Sequence, residues 1–267
     1  VNEGPVYQSD NWDQLKANQP FFAQINMPES EYDIYDRQTW KHPRVKWYGE
    51  EQHPQIANEN NVSPPPYYPD HPIVRREWAR YLNSVSGMDV RIGWILDQLK
   101  KDGLAENTII VFFGDNGRME PRGIHWIWDT GIHVPLIVHY PAEMQAPARY
   151  VSGGVCSEVV SLLDIPATTL AMAGAEIPAS MQSHNFLGPE AKPPRKYAFS
   201  ARDRIDETAL RMRSVRGKRF HYIRNYSQGA GFATLNRYKE KCFMIKPLMR
   251  ELLAEGKLTG AAKELME

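Results

Sequence analysis

The chain has 267 residues, and its 32 Lys plus Arg balance 32 Asp plus Glu, so the formal net charge is zero. That balance argues against a nucleic-acid coat or a polybasic membrane binder. Hydrophobic residues at 42% and charged residues at 24% exclude a disordered chain, and no apolar run approaches the roughly 18 residues of a membrane span. The two cysteines, Cys156 and Cys242, are too few for a disulfide framework or a thiolate metal cage.

The chain opens Val1-Asn2-Glu3-Gly4 and stops within a helical pattern after Leu253, so a piece of a longer protein is expected. Phe21-Phe-Ala-Gln-Ile-Asn26 has the length and composition of a buried strand. From Met27 to Pro69 the chain is polar, aromatic and dotted with proline, the pattern of a long functional loop or a disordered one. Its aromatic residues Tyr32, Tyr35, Trp40, Trp47, Tyr48, Tyr67 and Tyr68 either pack the loop or line a carbohydrate cleft. Asp70-His71-Pro72 supplies a cap and a first-turn proline. Apolar residues from Val74 to Leu99, mostly three and four apart, then predict an amphipathic helix of about 28 residues.

Thr108-Ile-Ile-Val-Phe-Phe113 reads as the clearest buried strand and Val134-Pro-Leu-Ile-Val-His139 as another. Ser161 to Gly174 reads as a helix entered through Asp164 and Pro166. This alternation predicts an α/β fold with a mostly parallel sheet flanked by helices, over residues 1–194. After Pro193-Pro194, short strands at 197–200, 212–216 and 220–224, with a hairpin at Arg216-Gly-Lys-Arg219, predict a small C-terminal antiparallel subdomain plus helix over 195–267.

Ligands of open α/β sheets bind beyond the carboxyl ends of strands. Asp115 and Asn116 follow Phe113 there, between Gly114 and Gly117. Adjacent carboxylate and amide oxygens suit calcium or magnesium; the same residues also make an ordinary turn. Arg118, Arg122, His125 and His133 follow within reach of that strand end. They read either as cations around a tetrahedral oxyanion or as surface residues beside the core tryptophans Trp126 and Trp128. Arg202, Asp203 and Arg204 reach such a cleft from the small subdomain or form a structural ion-pair network. Tyr238-Lys-Glu-Lys241 reads as a solvated face.

Several of these segments, in order, resemble the sulfatase family of the alkaline phosphatase superfamily. They are the Phe21 strand, the long helix from Pro65 through Gly93-Trp-Ile-Leu, and Asn107-Thr-Ile-Ile-Val-Phe-Phe-Gly-Asp-Asn-Gly-Arg118. Trp128-Asp-Thr-Gly-Ile-His-Val-Pro-Leu-Ile-Val138, Ser161–Gly174, Phe199–Arg204 and Arg213–Asn225 continue the likeness. The resemblance implies hydrolysis of sulfate esters by a formylglycine nucleophile made from a Cys-X-Pro/Ala-X-Arg motif, with a calcium ion (Ca2+) at the site. Carried over by position, Asp115 and Asn116 are calcium ligands, and two further acidic ligands belong to a strand upstream of this chain. The formylglycine is likewise expected upstream, because neither cysteine sits in that motif, so the 267-residue piece by itself is expected to be inactive. The family's usual compartments are periplasmic, secreted or lysosomal.

The match departs at two positions. Glu31 stands where a catalytic histidine is expected, and Ile124 where a sulfate-binding lysine is expected. His125, as a catalytic group, or Arg122 then supplies the missing cation, with Arg118 and Arg122 binding substrate. The expected partner is a sulfated small molecule or oligosaccharide. The competing readings are a degenerate protein that binds an anionic glycan without turnover, favoured by Glu31, and a phosphoryl-transfer relative, disfavoured by Asp-Asn where Asp-His is usual.

Overall fold

The computed structural model describes residues 9, 11–27, 30, 55–118, 121–227, 232 and 234–267. Glu31 and the loop aromatics Tyr32, Tyr35, Trp40, Trp47 and Tyr48 lie outside the described residues.

Helix α1, Trp12–Ala17, is capped by the Asn11 side chain, which accepts from the N–H groups of Asp13 and Gln14. The Trp12 indole donates to Asp102 (2.7 Å) and Lys16 pairs with the same carboxylate (3.0 Å), tying α1 to the far end of the next helix. The segment Phe21–Asn26 forms no strand; Phe22 is 63% and Ile25 47% exposed. An apolar run becomes a strand only where another strand pairs with it.

Helix α2, Pro72–Lys101, is thirty residues long, close to its predicted length. Its cap is His71, whose Nδ1 accepts from the Ile73 N–H; Asp70 instead pairs with Arg75 (2.6 Å). Strand β1, Ile110–Phe113, follows. After a long loop come the short helix α3, Asp129–Ile132, and strand β2, Leu136–His139. A 3₁₀ turn at Leu162–Asp164 leads into α4, Ile165–Met172. Strands β3 (Ala198–Ile205), β4 (Thr208–Arg216) and β5 (His221–Asn225) precede α5 (Arg237–Cys242), α6 (Ile245–Ala254) and α7 (Gly260–Met266).

The expected mostly parallel sheet is corrected by the strands present. β1 pairs antiparallel with β2, from Ile110 opposite His139 to Phe113 opposite Leu136. A parallel pair needs a crossover of a dozen residues or more, usually a helix. Here, among the described residues of the connection, the helix is the four-residue α3, too short to carry the chain across the sheet as a crossover helix does, and β2 returns alongside β1. Nor is β1 deeply buried: Phe113 is 40% exposed and Ile137 on β2 60%. Antiparallel strands lie in this region in the order β3-β4-β5; β3 and β4 are longer than expected, and β5 has the expected five residues. Gly217 N–H donates to the Phe220 carbonyl (2.9 Å) and closes the β4–β5 hairpin.

The main hydrophobic cluster lies elsewhere. It joins Val74, Trp78 and Ala79 of α2, Trp126 and Ile127 of the loop, and Leu210 and Met212 of β4 to Phe243, Ile245, Met249 and Met266 near the C-terminus. Period-2 alternation on β4 buries Thr208, Leu210, Met212 and Ser214 and turns Arg211 outward.

Asp164 anchors α4. Its carboxylate closes a capping box with Ser161, accepts from the His184 N–H (2.7 Å) and takes two hydrogen bonds from Arg195 (2.6 Å each), with its side chain only 1% exposed. Burial by itself raises the carboxyl pKa; the Arg195 and backbone hydrogen bonds outweigh it and hold the group below its ordinary value. Asp164→Ala leaves Arg195 without this partner and is expected to cost about 3–5 kcal/mol, measured as a lowered urea midpoint. Because the folded pKa is depressed, the contribution of Asp164 is complete above its unfolded pKa of about 3.9 and lost as pH falls through the folded value. Asp164→Asn should therefore flatten the acid limb of the stability–pH curve.

The turn after β1 is held by backbone contact. A Cβ on Gly117 would stand 2.1 Å from the Thr130 carbonyl oxygen and 2.6 Å from the Gly131 Cα, and one on Gly131 2.1 Å from the Trp126 carbonyl oxygen. Gly117→Ala is expected to destabilise by about 1–3 kcal/mol, as overpacking does. Its readout is the same denaturant midpoint, with Gly93→Ala, where a Cβ meets nothing within 4 Å, as the control.

Candidate active site

Asp115 and Asn116 sit on the turn that leaves β1, both exposed. The turn is fixed on each side: Gly114 N–H donates to the Pro135 carbonyl (3.1 Å) and Gly117 N–H to the Gly131 carbonyl (2.9 Å). The two side chains offer oxygen donors of the hard type that calcium accepts, but calcium takes six to eight oxygens. Among the described residues no group of three or more His, Cys, Asp or Glu is placed to hold a metal ion. The donor pair fits calcium in kind and supplies part of a ligand set.

Arg118 and Arg122 are brought together over aromatic rings. The Arg118 guanidinium lies 5.7 Å from the Tyr67 ring centre and 5.2 Å from that of Trp78, and its Nη2 donates to the Tyr67 hydroxyl. Arg122 lies over the same Tyr67 ring at 5.3 Å and over Trp128 at 4.6 Å. Burial, and then the positive charge of Arg122, lower the Arg118 pKa. The Nε atoms of both are buried without a hydrogen-bond partner among the described residues. Two half-buried guanidiniums with ring faces as neighbours concentrate positive charge beside the turn after β1.

The segment around them is strained and locked. Arg122 (φ 65°) and His125 (φ 74°) are left-handed, a conformation that costs a non-glycine residue roughly 1–3 kcal/mol. Thr130 Oγ1 donates to the Arg122 carbonyl, the Tyr68 hydroxyl to the Pro121 carbonyl (3.1 Å), and Arg202 to the His125 carbonyl (3.0 Å). Ile124, at the position of the expected lysine, donates its N–H to the Arg118 carbonyl (2.6 Å). Trp126 is buried, stacked on Trp128 at 4.7 Å, with Arg202 over its ring at 4.1 Å.

His125 belongs to another electrostatic neighbourhood. Burial first, then Lys239 and Arg202 against the weaker opposite pull of Asp206, push its pKa down to about 4. Its imidazole is neutral at pH 7 and supplies no positive charge there. His133 is exposed on the loop after α3. Of the other expected cluster, Arg202 is buried under the tryptophans, Asp203 takes two hydrogen bonds from Arg213 (2.8 and 3.1 Å), and Arg204 donates to the Asp206 carbonyl.

Trp78 was legible only as one apolar position of α2; as the floor beneath Arg118 it is a product of folding. Asp129 carries no signal of its own in the sequence beyond the Trp128–Val138 motif. It opens α3 and pairs with His221 (2.9 Å) and Arg216 (3.3 Å), clamping the loop to the β4–β5 hairpin.

Comparison with known proteins gives the context of this geometry. The sulfatase family profile matches residues 6–175. An ulvan-active sulfatase of Formosa agariphila is 31% identical over 93% of this chain and 44% of its own length. The N-sulphoglucosamine sulphohydrolase of Homo sapiens is 27% identical over 79% of this chain and 43% of its own. A solved structure holding its substrate D-glucosamine-2-N,6-O-disulfate aligns with a TM-score of 0.48 at 22% identity, over 78% of this chain and 42% of that one. The chain thus spans less than half the length of these relatives. With the family profile covering more than half its residues and the Formosa relative aligned along nearly its whole length, the chain belongs to the sulfatase family.

Proposed function

We propose that the whole protein hydrolyses sulfate esters of a carbohydrate, with the turn after β1 and the loop behind it as part of its active site. The observation that carries this reading is the Arg118–Arg122 pair, two half-buried cations over Tyr67 within a few residues of Asp115 and Asn116. Membership of the family supports the reaction class. The relatives named for ulvan and for N-sulphoglucosamine support a sulfated sugar as substrate.

In this reading Asp115 and Asn116 are ligands of a calcium ion. Calcium, when bound, supplies positive charge that polarises a sulfate oxygen. Arg118 and Arg122 hold further oxygens of the sulfate; Arg122 takes over the role of a lysine at the Ile124 position. Tyr67, Trp78 and Trp128 keep the two guanidiniums in place without neutralising them, as a carboxylate would. His125, neutral at working pH, serves as a hydrogen-bonding group rather than as the missing cation. Glu31, where a catalytic histidine is expected, favours one alternative, a protein that binds anionic glycan without turnover, and activity separates the two.

The test is sulfate release from an aryl sulfate and from sulfated oligosaccharides by the full-length protein, with and without chelator. Turnover that chelator abolishes and calcium restores is expected; tight glycan binding with no release would move the protein to the non-catalytic reading. Arg118→Ala and Arg122→Ala are each expected to lower kcat/KM on the order of 10²-fold, the scale of one lost oxyanion contact. Asp115→Ala is expected to weaken calcium affinity, followed by titration; an unchanged affinity removes Asp115 from the ligand set. For His125, the depressed pKa predicts that His125→Gln leaves the pH–rate profile above about pH 6 unaltered in shape. Loss of an inflection near pH 6.5–7 in that variant would mean that the imidazole titrates during turnover.

A further inference from the structure

The three-stranded sheet has two unlike faces. One packs on the core through Leu210, Met212 and the buried Arg202. The other is open. Register sets its side chains in rows: Phe199, Val215 and Tyr222; then Ala201, Arg213 and Arg224; beyond them, at the irregularity between Arg202 and Arg204, Asp203 comes within 3.9 Å of Arg211, and Tyr226 lies beside Arg211 just past the end of β5. Phe199 is 76% exposed, Tyr222 63% and Tyr226 45%. The Arg224 guanidinium lies 4.6 Å from the Tyr226 ring centre and that of Arg211 5.4 Å. Asp203 is the acidic group in these rows; it holds Arg213 at 2.8 Å and approaches Arg211 at 3.9 Å. Three arginines against one aspartate leave the face positive.

We propose that this face is a docking surface for a sulfated polysaccharide chain, distinct from the Asp115–Arg122 site. Along β5, Tyr222, Arg224 and Tyr226 alternate ring, cation, ring, at about 7 Å per step on one side of a strand. An extended polymer that offers C–H faces and anionic groups in turn meets both needs: sugar rings lie on the exposed Phe199 and Tyr222 rings, and sulfates pair with the guanidiniums gathered at Tyr226. The row of Arg213 and Arg224 beside the Phe199–Val215–Tyr222 row matches an occupant that carries anionic groups along its length. The choice of a sulfated glycan over other polyanions rests on the proposed function; the positive aromatic face does not.

The experiment is affinity electrophoresis of the protein in gels containing dextran sulfate, neutral dextran or polyglutamate. The variants are Arg224→Ala and the double variant Tyr222→Ala/Arg224→Ala, both checked for native circular dichroism. Retardation by dextran sulfate alone is expected, weakened about tenfold in Arg224→Ala, the scale of one lost charge-assisted contact, and further in the double variant. Equal retardation by polyglutamate overturns the glycan assignment in favour of an acidic peptide. Retardation that the variants leave unchanged overturns the surface itself, as does concentration-dependent dimerisation that both variants abolish. Aryl-sulfate turnover by the full-length protein reports the other site separately. No turnover with variant-sensitive retardation sinks the functional reading and leaves the sulfated-polymer surface standing; normal turnover with insensitive retardation does the reverse.

Discussion

The backbones of Gly117 and Gly131 lie so close that neither position admits even a methyl group, and Gly131 in turn presses on the Trp126 carbonyl. This stack of main chain against main chain joins three things that the sequence separates. It holds the turn carrying Asp115 and Asn116, the strained segment carrying Arg122 and His125, and the first turns of α3. A catalytic site benefits when its groups hang on backbone whose position is over-determined. Here the close approach and the hydrogen bonds of Thr130, Tyr68 and Arg202 supply that rigidity.

Among the described residues, positive charge is stabilised by ring faces as well as by carboxylates. Arg118 and Arg122 rest on Tyr67, Trp78 and Trp128; Arg202 rests on Trp126; Arg211 and Arg224 flank Tyr226. A ring face attracts a cation without cancelling it. The guanidinium keeps its net charge, which is the condition for binding an anion. Where a purely structural role is needed, the pairing is different: Asp164 and Arg195 are matched fork to carboxylate, and the desolvation of the acid is offset by four hydrogen bonds.

The loop and the C-terminal part of the chain share a core. Trp126 and Trp128 pack on Phe232, and Asp129 reaches His221 and Arg216. The geometry of the candidate site therefore depends on strands and helices that begin more than seventy residues later. Burial is the first cause of the low His125 pKa, and the charges that lower it further, Lys239 and Arg202, come from that later part.

What the sequence determined by itself is local. Spacing of apolar residues defined the thirty-residue helix α2, and Gly217 marked the hairpin; the Gly114–Gly117 turn put two hard oxygen donors at a strand end. Order of motifs was enough to name the family. Tertiary structure decided everything that depends on which neighbour comes alongside. The run Thr108–Phe113 is apolar enough for a central parallel strand, yet a strand's direction and burial follow from its partner, and here β2 returns antiparallel. His125 and Arg122 are three residues apart and equally plausible as cations on paper. Folding sets one over aromatic rings and the other beside Lys239 and Arg202, and because desolvation and charge act through space rather than along the chain, the imidazole pKa is pushed down to about 4.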